Sequence, residues 1–195
     1  MFISNVKKIL SKVQNKIYIK IGLFSTNYFT ECESEIETKF KPIIVSLNEK
    51  ELLKEYALNY RSANHYEKNI YPRLEKKERF KGFAVLDTEK NIIVYLSWID
   101  FNYILIKEID YRKRLTEKKA FFLDDHCVPQ YQRKGLHKAV FNKRINYCTN
   151  NKISTIMIVI YLNNFRALNN LKKYNFKLEK VFIKIPFYDY ISRKF

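Results

Sequence analysis

Three glycines in 195 residues, Gly22, Gly82 and Gly135, set the first limit on what this chain can fold into. A chain of average composition and this length carries roughly thirteen or fourteen. The three are too far apart to build G-x-G-x-x-G or the G-x-x-x-x-G-K phosphate loop, so dinucleotide-binding and P-loop folds are excluded. A lone glycine such as Gly135 then needs a local reason. Cys32, Cys127 and Cys148 are odd in number and show no C-x-x-C spacing, and His65, His126 and His137 form no H-E-x-x-H. Neither a disulfide framework nor a metal site is expected, and a reducing cytoplasm is the expected compartment.

Apolar residues make up 47% of the chain and aromatics 16%, enough to offset the entropy of ordering the backbone. The length suits a single domain over 1–195, with 1–41 as an N-terminal helix and strand extension. No apolar run approaches eighteen residues, and Lys7, Lys8 and Lys12 interrupt the N-terminus, so neither a transmembrane segment nor a signal peptide is expected. With 37 Lys and Arg against 20 Asp and Glu the formal charge is +17. Such a charge suits nucleic acid, an anionic membrane or a phosphorylated ligand. The abundance of Lys, Asn, Ile, Phe and Tyr equally fits the codon bias of an A+T-rich genome.

Periodicity orders the elements. A basic amphipathic helix is predicted over 2–13, then a strand over 17–21. Pro42 leads an apolar strand over 43–47, and Asn48 with Glu51 marks a helix start running towards Tyr60. Residues 61–81 are charged, and the Tyr71-Pro72 step disfavours continuous helix. A hairpin is predicted from Phe83–Leu86 and Ile92–Ile99, another strand over 103–109, and a charged loop over 111–119. Beyond lie a strand from Ala120 that Pro129 stops, and a helix burying Leu136, Val140, Phe141, Ile145 and Cys148. Ile153–Leu162 forms an apolar strand, Asn163-Asn164 opens a helix to Lys173, and two final strands, 176–185 and 187–191, are split by Pro186. The fold class is α/β, a mixed sheet with helices packed on it.

A strand, a proline and a basic loop whose glycine opens a helix together make an anion site, because unpaired N–H groups and the helix dipole face the loop. Cys127-Val-Pro129-Gln-Tyr131-Gln132-Arg-Lys-Gly135-Leu-His137 resembles the acyl-CoA site of the GNAT superfamily of acyl-CoA-dependent N-acyltransferases, whose signature is (Gln/Arg)-x-x-Gly-x-(Gly/Ala) after Val-x-Pro-x-(Tyr/Phe). His137 stands where that signature ends on a small residue. Asn164-Phe-Arg-Ala167 and Asn175-Phe176 match the family's later Asn-x-x-Ala and Gly-Phe landmarks, with Asn175 in place of glycine. The resemblance covers residues 83–176; residues 1–81 match loosely.

The resemblance implies a central, mixed, largely antiparallel sheet splayed at the cofactor site, with acetyl-CoA as co-substrate and a small-molecule or protein amine as acceptor. It implies that backbone amides of Cys127 and Val128 meet the thioester and pantetheine. Gln132 and the loop Arg133, Lys134, Gly135 and Leu136 would take the pyrophosphate, and Asn164 would bridge backbone and cofactor. Direct attack of a primary amine needs a base and a proton for the departing thiolate. Asp124 and His126, on one face of a strand with Asp125 opposite, are the candidate bases, and His126 has a suitable ordinary pKa near 6.5. Many relatives place a tyrosine where this chain has Leu171; Tyr174 is the nearest in sequence and is the candidate acid. The segment 61–81, with Arg61, His65, Tyr71 and Arg73, falls where the family varies to select its acceptor. Two other functions fit the sequence: a basic RNA- or ribosome-associated module, with nucleic acid compatible but not favoured, and a GNAT domain that binds CoA without turnover. A monomer or a homodimer is expected.

Overall fold

The computed structural model describes residues 19–27, 36–184 and 191–194. The helix predicted over 2–13 lies outside them. Among the described residues, eight strands form one sheet in the order β10-β9-β1-β8-β7-β4-β3-β2. They are β1 (Ile19–Thr26), β2 (Phe40–Val45), β3 (Phe80–Asp87), β4 (Ile92–Asp100), β7 (Lys119–Cys127), β8 (Thr155–Tyr161), β9 (Lys177–Lys184) and β10 (Ile191–Lys194), with β5 (Tyr103–Ile106) and β6 (Tyr111–Arg114) forming a separate hairpin. Every pairing is antiparallel except that of β7 with β8. This is the mixed, largely antiparallel sheet flanked by helices that the sequence led us to expect. The strand assigned to an N-terminal extension, β1, lies inside the sheet between β9 and β8.

Alternation along β4 sends Trp98 and Tyr95 to opposite faces. Trp98 lies under Arg73, and Tyr95 packs edge-on against His137. Helix α1 (Lys50–Tyr60), the short α2 (Ala63–His65), a π-helical turn (Tyr66–Ile70) and α3 (Tyr71–Glu75) cover the Trp98 face. Helix α4 (Leu136–Asn150) covers the other, with Leu136, Val140, Phe141, Ile145 and Cys148 all buried as predicted. Helix α5 (Phe165–Lys173) follows β8.

Three segments differ from expectation. The capping box sits at Ser46 rather than Asn48 and opens a 3-10 turn, Leu47–Glu49, that runs into α1: the Ser46 hydroxyl accepts from the Asn48 amide at 3.1 Å while the Glu49 carboxylate receives the Ser46 amide at 2.7 Å. Helical turns continue through Tyr71-Pro72, because the π turn absorbs the change of pitch and Pro72 falls in the first turn of α3, where no amide donor is needed. The charged stretch after Asp110 is a strand, β6, paired with β5 rather than a loop. Its charges face solvent, while Ile104, Ile106, Ile109 and Leu115 bury against Ile21, Leu23, Phe121 and Phe182. This hairpin shares the Trp98 face with α1–α3, where Lys107 donates to Asn69 at 2.6 Å.

Candidate functional site

β7 and β8 are in register only over Lys119–Phe122 and Thr155–Ile158. Beyond that they separate, and Leu123–Cys127 pairs with β4 alone. Near the point of separation β7 bulges: Asp124 takes a left-handed φ of 57°, and the register with β4 shifts between Trp98/Leu123 and Leu96/His126. The extra residue keeps Asp124 and His126 on the Trp98 face and turns Asp125 to the α4 face, as the sequence predicted.

The Val128 amide donates to the Val94 carbonyl at 3.0 Å, so the sheet already satisfies one of the two amides that the family resemblance assigns to the cofactor. Since Val128 and Val94 form a hydrogen-bonded pair, alternation turns the Cys127 N–H away from β4, towards the gap that opens beside β8. The Cys127 thiol donates weakly to the Val128 carbonyl at 3.6 Å, and burial raises its pKa, which keeps it protonated.

The strand leads through Pro129–Tyr131 into a loop with two left-handed residues, Arg133 at φ 65° and Gly135 at φ 75°. Gly135 is the N-cap of α4 and no side chain caps it, so the first amides of the helix point into the loop without intrahelical acceptors. Gln132, Arg133 and Lys134 are exposed around them. Lys134 lies 3.8 Å from Glu37 and over the Phe40 and Tyr131 rings. His137 stacks on Phe141 one turn along, with ring centroids 5.6 Å apart. Asn164 caps α5, its side-chain oxygen accepting the Ala167 amide at 3.1 Å. Asn175 takes the left-handed conformation expected of it, φ 55°.

On the Trp98 face, Asp124 accepts from Arg73 at 2.6 Å and from Arg61 at 3.3 Å, with His65 3.9 Å away. Burial alone would raise its pKa; Arg73, then Arg61 and His65, outweigh burial and hold the carboxyl below the usual range. A carboxylate so held is a weak base. His126 meets the Tyr56 hydroxyl through Nδ1. Burial, then Arg61, lower its pKa against the opposing pull of Asp124, so the ring is neutral at pH 7. Behind the strand, Asp125 accepts from Tyr95 at 2.8 Å and from the fully buried Arg144 at 2.7 Å. Tyr174 donates to Asn142 on α4 at 2.8 Å and packs on Phe141. Sequence reasoning missed Tyr56, Tyr95, Asn142 and Arg144. Each looks like core, and only the tertiary partner reveals the polar bond.

No group of three or more His, Cys, Asp or Glu side chains among the described residues could hold a metal. No helix there is long and apolar enough to cross a membrane.

Solved structures share this fold. A protein from the GNAT family of Novosphingobium aromaticivorans superposes with a TM-score of 0.56 at 9% identity, over 85% of this chain and 62% of that one. The chain has the GNAT fold. A tandem GNAT protein from the clavulanic acid biosynthesis pathway aligns with a TM-score of 0.62 at 6% identity, over 90% of this chain and 53% of that one. An aminoglycoside acetyltransferase from an uncultured soil metagenomic sample, in complex with sisomicin, aligns with a TM-score of 0.51 at 15% identity, over 72% of this chain and 90% of that one. This chain thus spans less than two thirds of the length of the first two GNAT proteins. No family model matches its sequence. No curated protein matches it either.

Proposed function

We propose that this GNAT-fold chain is an N-acyltransferase that moves an acyl group, acetyl in the first instance, from its CoA thioester to a primary amine by direct attack. The observation that carries the reading is the uncapped N-terminus of α4 behind Gly135, set at the end of the strand that parts from β8. Left-handed residues at 133 and 135 and the first amides of a helix suit a pyrophosphate, and exposed Arg133 and Lys134 add charge. The Cys127 N–H suits the pantetheine or the thioester carbonyl, with Gln132, Leu136 and Asn164 along the same edge. The thioester supplies an activated acyl carbon.

His126 is the base in this reading, and Asp124 is not: the carboxylate orients Arg61 and Arg73 instead. Nε2 of a neutral His126 takes the amine proton as the N–C bond forms and the C–S bond breaks. Tyr174 remains the candidate that returns a proton to the thiolate, and to do so it must turn from Asn142. Calorimetry with acetyl-CoA and with a short RNA, followed by an assay of CoA release over a panel of amines, tests the proposal. Acetyl-CoA binding and amine-dependent release are expected. Tight RNA binding with no response to acetyl-CoA would overturn the reading, and binding without release would make the chain a CoA-binding domain.

A further inference from the structure

Among the described residues, two arginines from two elements share the Asp124 carboxylate on the Trp98 face of β7, and a lysine from a third element joins the cluster. Arg61 follows α1, Arg73 lies in α3 and Lys107 stands at the tip of the β5–β6 hairpin. Asp124 bonds both arginines, while Lys107 is joined to the cluster through Asn69, whose amide lies 3.4 Å from His65 Nδ1. His65 and His126 add no charge at neutral pH, since burial and Arg61 lower both.

The two arginines are unequally placed. Arg73 has a side chain 9% exposed, sits over Trp98 and Phe80, and makes the short 2.6 Å bond to Asp124. It is a structural counter-ion. Arg61 touches the same carboxylate through one nitrogen at 3.3 Å and keeps 26% of its side chain exposed. A guanidinium has five N–H donors in a planar fork, so Arg61 retains donors for a carboxylate or phosphate beside His126.

We propose that the acceptor carries an anionic group, carboxylate or phosphate, near its primary amine, and that Arg61 recognises it. The inference rests on the acyl-transfer reading and names the substrate class of that site. It separates this chain from the aminoglycoside acetyltransferase whose fold it shares, because a polycationic acceptor would meet the Arg61 guanidinium, with Arg73 and Lys107 behind it, against the one Asp124 carboxylate they surround among the described residues. The same field lowers the pKa of a bound ammonium and so favours the neutral amine that attack requires.

Titration calorimetry of the full chain with CoA present tests this with matched amines: O-phosphoethanolamine against ethanolamine for phosphate, β-alanine against n-propylamine for carboxylate, and spermidine as polycation. At least tenfold tighter binding of the anionic member is expected in one pair, which also tells phosphate from carboxylate. Arg61→Gln should reduce that preference to less than threefold and Arg61→Lys should keep part of it, both with acetyl-CoA affinity within twofold of wild type. Failure of both anionic amines to outbind their partners, stronger binding of spermidine, or a preference that survives Arg61→Gln would overturn the proposal. If the preference holds while acetyl-CoA does not bind, the transfer reading falls and the anion site stands. If spermidine is acetylated best, the reverse is true.

Discussion

The Tyr56 hydroxyl on α1 bridges two atoms of one residue on β7, bonding Nδ1 of His126 and lying 3.4 Å from its carbonyl oxygen. Tyr56 is buried, with its ring edge-on to the imidazole. A phenol has one hydrogen to give. Donated to the carbonyl, it leaves the oxygen free to accept Nδ1–H and so frees the Nε2 lone pair that a base needs. Nitrogen-15 shifts of the His126 ring should therefore show the Nδ1–H tautomer, and Tyr56→Phe should mix the tautomers and lower turnover by about tenfold with acetyl-CoA affinity unchanged. A wild-type ring carrying its proton on Nε2 would remove His126 as the base.

The rate should depend on pH through that ring. Burial and Arg61 lower the His126 pKa below its ordinary 6.5, so turnover should rise as pH passes up through the lowered value and be level above 6.5. Removing the Arg61 charge relieves part of the depression. In Arg61→Gln the rising limb should move to higher pH, and a limb that stays put or moves down would contradict the assignment.

Arg73 and Asp124 should show in stability. Arg73→Met leaves a largely buried carboxylate with only its longer Arg61 contact and should cost about 2 kcal/mol at pH 7. Because the folded pKa of Asp124 lies below its ordinary 3.8, the stabilisation is present above that value and is lost as pH falls through the folded one. Urea unfolding should then show the deficit of the variant shrinking in strong acid. An equal deficit at both pH values would place the interaction elsewhere.

Gly135 takes φ 75° at the start of α4. A β-branched residue there suffers the left-handed strain, about 1–2 kcal/mol, and crowds the approach to the helix amides. Gly135→Val should weaken acetyl-CoA at least tenfold by calorimetry beyond any loss explained by partial unfolding. Unchanged affinity would show that the loop does not carry the phosphate.

The Tyr174–Asn142 bond separates two roles for one phenol. Asn142 is buried, so Tyr174→Phe leaves its side-chain oxygen without that donor and should cost about 1 kcal/mol in thermal unfolding. As the acid, Tyr174 should also be needed for turnover, which would fall roughly a hundredfold. A variant that loses stability but keeps its rate would make Tyr174 a packing residue.

Local signals carried the middle of the chain well. The hairpin of β3 and β4, the strand that Pro129 stops and the apolar face of α4 each have a period or a breaker in the sequence. So does the loop geometry: Gly135 and Asn175 adopt the left-handed conformations their residue types suggest. What could not be read depends on partners far away in sequence. The charges of 111–114 looked like a loop because the pattern shows no burial, yet pairing with β5 makes them a strand. Asp124 read as a base on its position alone, whereas Arg73 and Arg61, 51 and 63 residues earlier, make it a counter-ion.

The position of β1 bears on how the chain is made. Thr26 pairs with Ile156, and Ile21 pairs with both Tyr161 and Phe182. During synthesis this strand emerges before both of its neighbours and waits, unpaired on both edges, until β8 and β9 have left the ribosome. At cellular elongation rates that delay is on the order of ten seconds. Throughout it, the buried faces of Ile21 and Leu23 and two rows of backbone donors and acceptors are open to other nascent chains. Yield in cells should therefore depend on how translation speed and chaperone capacity protect β1 until its neighbours arrive.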